Sequence, residues 1–277
     1  MQTLISAKDL LKESDNQDLI ILDSRFYLTD LAKGKKEYDS GHIPGAIFID
    51  LHHDLASPET EFSGRHPLPA NTDFSAFIQS LGIDSDSKVI VYDDMAGAIA
   101  ARAWWMLSQN GIETRVLDGG IQAWLSVGGE LESNAAFPQA TANRIDVHFP
   151  WAVSEEDVLE NMEAEIFQLV DARASDRYEG QNETMDPLAG HIPGAINRPF
   201  ANNLNKDGLF LASKELSSEF QSLKENIELV HYCGSGVTAC HNVLASVEAG
   251  LEDKRVFVGS WSLWSKRMLR LMSEQTE

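Results

Sequence analysis

Cys233 is followed by Gly234, Ser235, Gly236, Val237 and Thr238, and this run has the make-up of a nucleophile loop. The apolar run Leu229–Tyr232 reads as a buried strand that stops at Cys233, and a helical stretch begins at Val237. A cysteine between a strand end and a helix N-terminus faces converging backbone N–H groups. Converging donors stabilise an anion and so favour the thiolate, the form that attacks. Gly234 and Gly236 suit a tight cradle with positive φ and close backbone approach, and Thr238 is placed to turn its hydroxyl inward. Cys240, two helical turns along among Val237, Val243 and Leu244, reads as helix packing instead. The cradle alone admits phosphatase chemistry, but phosphatases place an arginine six residues after the cysteine, and here that position is Ala239. Without a guanidinium a phosphoryl dianion lacks compensation, so the loop suits a smaller group such as a persulfide sulfur.

The elements that must position this loop occur twice. Ile21-Leu22-Asp23-Ser24-Arg25 followed by Gly41-His42-Ile43-Pro44-Gly45-Ala46-Ile47 returns as Leu169-Val170-Asp171-Ala172-Arg173 followed by Gly190-His191-Ile192-Pro193-Gly194-Ala195-Ile196. Ser6-x-x-Asp9 and Ser154-x-x-Asp157 open the copies as helix-capping patterns. Leu117–Trp124 and Phe257–Trp264 close them. The chain of 277 residues is thus a tandem duplication, with an N-terminal domain over 1–133, an Ala/Asn/Pro-rich linker over 134–143 and a C-terminal domain over 144–277. Short buried strands at Leu19–Leu22, Val89–Tyr92, Phe167–Val170 and Leu229–Tyr232 alternate with helices such as Ala98–Gln109 and Val237–Ala249. Residues 144–149 alternate as a further strand would. The fold class is therefore α/β, each domain a mainly parallel sheet with helices on both faces and function at the loops leaving the strands.

Composition narrows the partners. A net charge of −21 opposes binding to nucleic acid or an anionic membrane surface. No segment approaches the roughly 18 apolar residues of a membrane helix, and the N-terminus lacks the apolar stretch of a signal peptide. The expected location is the cytoplasm. Two cysteines are too few for a disulfide framework and are not companioned for zinc. His52 and His53, adjacent on an extended segment, would point oppositely, so no metal is expected. Asp23–Arg25 and Asp171–Arg173 read as buttresses at strand ends.

The paired Gly-His-Ile-Pro-Gly-Ala motifs, the Cys-Gly-x-Gly-Val-Thr-Ala loop and the terminal Gly-Ser-Trp resemble the tandem rhodanese, or sulfurtransferase, family over nearly the whole chain. The resemblance implies two rhodanese-like domains, the first catalytically silent, because Val91-Tyr92-Asp93 aligns with His231-Tyr232-Cys233 and puts Asp93 where a thiol would be needed. Loops of the form Cys-Gly-Ser-Gly-Val-Thr look like those of 3-mercaptopyruvate sulfurtransferases. A neutral loop matches a donor with one carboxylate, whereas dianionic thiosulfate benefits from loop cations. The resemblance makes Ser235 and His66 members of a proton relay whose third member in the family is an Asp; because His52 aligns at that position, either Asp50 or Asp54 orients His66 or the relay is incomplete. It makes Arg177 the clamp for the substrate carboxylate, with Gly234, Gly236, Val237 and Thr238 around the donor, although Gln181–Pro187 contains no arginine where such enzymes usually add a second. The implied activity is transfer of a sulfane sulfur from 3-mercaptopyruvate through a Cys233 persulfide to cyanide or a thiol such as thioredoxin or glutathione, with no cofactor. Thiosulfate:cyanide sulfurtransfer and a persulfide carrier without its own donor site are the alternatives.

Overall fold

The computed structural model describes residues 2–13, 16, 18–223 and 227–274. The chain forms two compact units. The first comprises residues 1–57, 69–150 and 206–210, and the second comprises 58–68, 151–205 and 211–277.

In the first unit the order is β1 (Leu4–Ile5), α1 (Ala7–Glu13), β2 (Leu19–Asp23), α2 (Lys33–Ser40), β3 (Ile47–Phe48), α3 (Asn71–Ser80), β4 (Lys88–Tyr92), α4 (Ala100–Ser108), β5 (Glu113–Leu117) and α5 (Gly120–Ser126). The strands form one parallel sheet in the order β1-β5-β4-β2-β3. Period-two alternation divides its core: Ile21 and Ile90 pack with Leu10, Ile121 and Trp124 of α1 and α5, while Leu22 lies with Phe74, Ile78, Ala103 and Leu107 of α3 and α4.

The second unit repeats the plan with β6 (Ala152–Val153), α6 (Glu155–Ala164), β7 (Phe167–Asp171), α7 (Ser175–Tyr178), β8 (Ile196–Asn197), a 3-10 turn (Phe200–Asn203), α8 (Ser213–Leu223), β9 (Glu228–Tyr232), α9 (Thr238–Glu248), β10 (Arg255–Phe257) and α10 (Ser260–Glu274). Its sheet is parallel in the order β6-β10-β9-β7-β8. Leu169, Val230 and Tyr232 pack on Val158 of α6 and on Trp261 and Trp264 of α10. The expected α/β architecture with parallel sheets is present in both units. Ser154 makes the capping box read from the sequence: its Oγ accepts the Asp157 N–H at 3.1 Å and its own N–H donates to Asp157 Oδ2 at 2.8 Å.

The repeated two-part phrase has a physical basis. Arg25 pairs with Asp23 at 2.6 Å and donates to the Gly41 carbonyl at 2.8 Å. Tyr92 donates to Asp23 at 2.6 Å and accepts the Ile43 N–H at 3.1 Å. In the second unit Arg173 pairs with Asp171 at 2.6 Å and donates to Gly190 at 2.7 Å, while Tyr232 accepts the Ile192 N–H at 3.3 Å. Burial, together with Asp171, pushes the Tyr232 phenol well up, so it remains a donor. The buttress thus clips the Gly-His-Ile-Pro-Gly turn to the end of the central strands, the edge from which the Cys233 loop leaves.

One expectation is corrected. Residues 144–149 form no strand. They run beside α3, held by side chains: Ser75 Oγ donates to the Ile145 carbonyl at 2.5 Å and Asn110 Oδ1 accepts the His148 N–H at 2.8 Å. Side chains thus take the Ile145 carbonyl and the His148 N–H, two backbone groups that a neighbouring strand would otherwise pair. Upstream, Gln79 Nε2 donates to the Thr141 carbonyl at 3.0 Å, and the Asn143 side chain donates to Asp84 Oδ2 at 3.0 Å.

Candidate active site

β9 ends at Tyr232, and the chain turns at once through 233–237 into α9. The turn requires Gly236: its φ is +77°, and a Cβ there would stand 2.5 Å from the Val258 carbonyl oxygen. The N–H of Gly236 donates to Cys233 Sγ at 3.2 Å, so the glycine that makes the turn also presents a donor to the sulfur. The rest of the cradle comes from the start of α10. Ser260, at φ +54°, accepts the Cys233 N–H on its Oγ at 3.1 Å and donates to the Phe257 carbonyl at 2.9 Å. The N–H groups of Trp261 and Ser262 donate to the carbonyls of Cys233 and Gly234 at 3.0 and 2.9 Å. Cys233 is therefore fixed on both sides and only 2% exposed. Cys240 is fully buried in α9, its thiol donating to the Gly236 carbonyl at 3.4 Å, as the packing reading expected.

Ser235 and His66 are together: His66 Nδ1 lies 2.8 Å from Ser235 Oγ, and both side chains are buried. The segment carrying His66 belongs to the second unit. Asp50 and Asp54 sit in the first unit with local tasks: Asp54 Oδ2 accepts the Asp50 N–H at 2.7 Å, and Asp50 Oδ1 accepts the N–H groups of His52 and His53 at 2.8 and 3.0 Å. Val237 caps α9, and Thr238 is its half-buried first residue. The hydroxyl of Thr238 makes no hydrogen bond among the described residues, so the inward donation expected of it is not seen.

Arg177 is tied to carboxylates and also lies beside the Cys233 loop. It forms ion pairs with Glu183 at 2.8 Å and Asp186 at 3.4 Å, yet its guanidinium also lies over the loop, since a Cβ on Gly234 would stand 3.6 Å from each of its terminal nitrogens. A second guanidinium, not singled out from the sequence, is closer still: Arg65 Nη2 would be 2.9 Å from that Cβ. Arg65 is anchored by Asp186, and its N–H donates to Ser262 Oγ at 3.0 Å. Its Nε–H is buried with no partner among the described residues. Glu183 also binds Arg173 at 3.2 Å, tying the buttress to this loop; Arg25 has no such extra carboxylate in its described contacts.

A model of the rhodanese-like domain matches residues 6–127 and again 154–267. The chain belongs to the rhodanese family. Among relatives of this rhodanese, a probable 3-mercaptopyruvate sulfurtransferase of Pseudomonas aeruginosa is 40% identical over 267 residues, 94% of each chain. A putative thiosulfate sulfurtransferase of Mycobacterium tuberculosis is 38% identical over 281 residues, 99% of this chain and 98% of its own. The solved structure of 3-mercaptopyruvate sulfurtransferase from Leishmania major superposes with a TM-score of 0.86 at 26% identity, over 99% of this chain and 77% of that one.

The first rhodanese unit shows what the same loop does without sulfur. Asp93 occupies the end of β4, and its carboxylate accepts four backbone N–H groups, from Met95 at 2.9 Å, Gly97 at 2.8 Å, Ile99 at 2.8 Å and Ala100 at 2.9 Å. The cradle of N–H donors is retained and filled by the Asp93 carboxyl itself. Among the described residues no helix is long and apolar enough to cross a membrane.

Proposed function

We propose that this rhodanese transfers sulfane sulfur through Cys233 of its second unit, with 3-mercaptopyruvate as donor. The observation that carries the proposal is the Cys233 loop itself, with Sγ accepting the Gly236 N–H at the head of α9. The relatives that bear the donor's name support it. Cys233 thiolate attacks the donor sulfur, the C–S bond breaks, and its electron pair leaves on C3 as the enolate of pyruvate. The thiol proton of the donor passes to that carbon, so the products are pyruvate and a Cys233 persulfide anion. Ser235 and His66, 2.8 Å apart, are the pair for this transfer of a proton from sulfur to carbon. Arg177, with Arg65 beside it, holds the carboxylate by planar paired donors. Gly234, Gly236, Val237 and Thr238 surround the sulfur, and the Gly236 N–H steadies the persulfide as it did the thiolate. An acceptor thiol, such as thioredoxin or glutathione, or cyanide then takes the outer sulfur and restores the thiolate. Asp93, already saturated by four N–H groups and without a thiol, leaves the first unit silent.

The proposal includes a cytoplasmic location, where a free, reactive thiol is kept reduced. Its domain division is an N-terminal silent copy and a C-terminal catalytic one. Thiosulfate as donor is the second reading, favoured by the two guanidiniums over Gly234. The test is Cys233→Ser: pyruvate release from 3-mercaptopyruvate and the mass gain of one sulfur atom on the protein are both expected to vanish. Retained turnover overturns the assignment.

A further inference from the structure

Among the described residues, charged groups beside the Cys233 loop are joined in one ion-pair network. Arg65, Arg173 and Arg177 face Asp171, Glu183 and Asp186, three cations against three anions. Two of those carboxylates are committed to Arg173, Asp171 wholly and Glu183 in part. Asp186 differs. It is 2% exposed and spans the two guanidiniums that overlie Gly234, with Oδ1 on Arg65 and Oδ2 on Arg177. Burial pushes its carboxyl up against the pull of Arg65, and Glu183 adds to the rise, so it stands where an anion is costly unless both arginines attend it. The same arginines keep further donors: among the described residues Arg65 Nε–H has no partner, and Nη1 of Arg177 takes no part in its ion pairs.

We propose that Asp186 is a specificity-determining residue: as a built-in anion between Arg65 and Arg177 it lowers the positive charge the clamp presents, so that a monoanionic α-keto-acid thiol is favoured over a dianionic donor such as thiosulfate. This rests on the sulfur-transfer reading above. A Coulomb term scales with ligand charge, so removing the resident charge helps a dianion twice as much as a monoanion. A unit charge about 6 Å away in an effective dielectric of about 20 is worth roughly a hundredfold in an equilibrium constant. Partial exposure of both guanidiniums screens some of this, leaving a change of about tenfold or more in the ratio.

The experiment compares wild type, Asp186→Asn and Arg65→Met. The readouts are kcat/KM for 3-mercaptopyruvate and thiosulfate, and, in the Cys233→Ser background, calorimetric binding of the unreactive anions pyruvate and sulfate. Asp186→Asn is expected to raise the thiosulfate-to-mercaptopyruvate ratio and the sulfate-to-pyruvate affinity ratio, the former mainly through KM. Arg65→Met is expected to lower both ratios, which keeps the test decisive if Asp186→Asn does not fold. Ratios that stay constant in the folded variants, or that move the other way, overturn the proposal. If wild type turns over neither donor, the sulfur-transfer reading falls, while the sulfate-to-pyruvate ratio still decides the role of Asp186.

Discussion

Gly234→Ala is a perturbation whose effect can be worked from distances. The backbone at Gly234 is outside the left-handed region, so alanine fits the turn and the guanidiniums alone must respond. The new Cβ would stand 2.9 Å from Arg65 Nη2, whereas ordinary contact begins at 3.4 Å. Arg65 must therefore withdraw by about 0.5 Å, and the methyl group takes up space below both guanidiniums. A misplacement of about 1 Å at a positioning group costs about a hundredfold in rate. Half that distance, with the added bulk, is expected to lower donor kcat/KM by about 10- to 100-fold, or about 1.4 to 3 kcal/mol. The assay is stopped-flow measurement of pyruvate release alongside discharge of a preloaded Cys233 persulfide to cyanide. Discharge should change far less, because the acceptor carries no carboxylate to clamp. Gly236→Ala is the contrast: with φ at +77° and Val258 O 2.5 Å from the new Cβ, it should lose thermal stability and both half-reactions together. A Gly234→Ala enzyme whose donor kcat/KM stays within about twofold of wild type would refute the placement of the donor anion at these arginines.

His66→Ala and Ser235→Ala are each expected to lower kcat by about 10²- to 10⁴-fold, as loss of a positioned proton-transfer group does. Because the two share one hydrogen bond at 2.8 Å, the double variant should be hardly worse than either single one, and additive losses in a double-mutant cycle would break the pairing. His231, buried in β9 with both ring nitrogens unpartnered among the described residues, has its pKa pushed by burial, and then by Arg198, from 6.5 down to about 3. A depressed folded value means that its neutral form contributes stability above pH 6.5 that is lost as pH falls towards 3, amounting to about 2 kcal/mol by pH 5. Denaturant melts of His231→Leu should show a shallower loss between pH 6.5 and 4, and a curve parallel to wild type would disprove the buried neutral imidazole.

Much of the chemistry was legible along the chain because its signals are local. A buried strand, a cysteine and a Gly-rich turn into a helix are all written within about ten residues, each governed by short-range backbone preferences. The capping box at Ser154 and Asp157 and the alternation of Ile21 and Leu22 between the two faces of their sheet are of the same kind. The Asp23–Arg25 and Asp171–Arg173 buttresses could be guessed, but not that each clasps the Gly-His-Ile-Pro-Gly turn. Residues 144–149 misled because alternation signals an extended chain and does not say whether side chains or a strand will satisfy its backbone.

By itself the sequence determined the duplication, the parallel α/β plan, the Gly-rich loop that carries Cys233 and the absence of a thiol at Asp93, since repeats, periodicity and residue identity need no partner to be recognised. Only the tertiary structure decided that Ser260 and Ser262 reach the Cys233 loop and that Arg65 stands beside Arg177 where the 181–187 stretch supplies no arginine. It also decided that Asp186 divides its charge between the two. A guanidinium or hydroxyl takes its role from the backbone that carries it to within 3 Å of a distant group, and that approach is set by packing rather than by any pattern of neighbours in the chain.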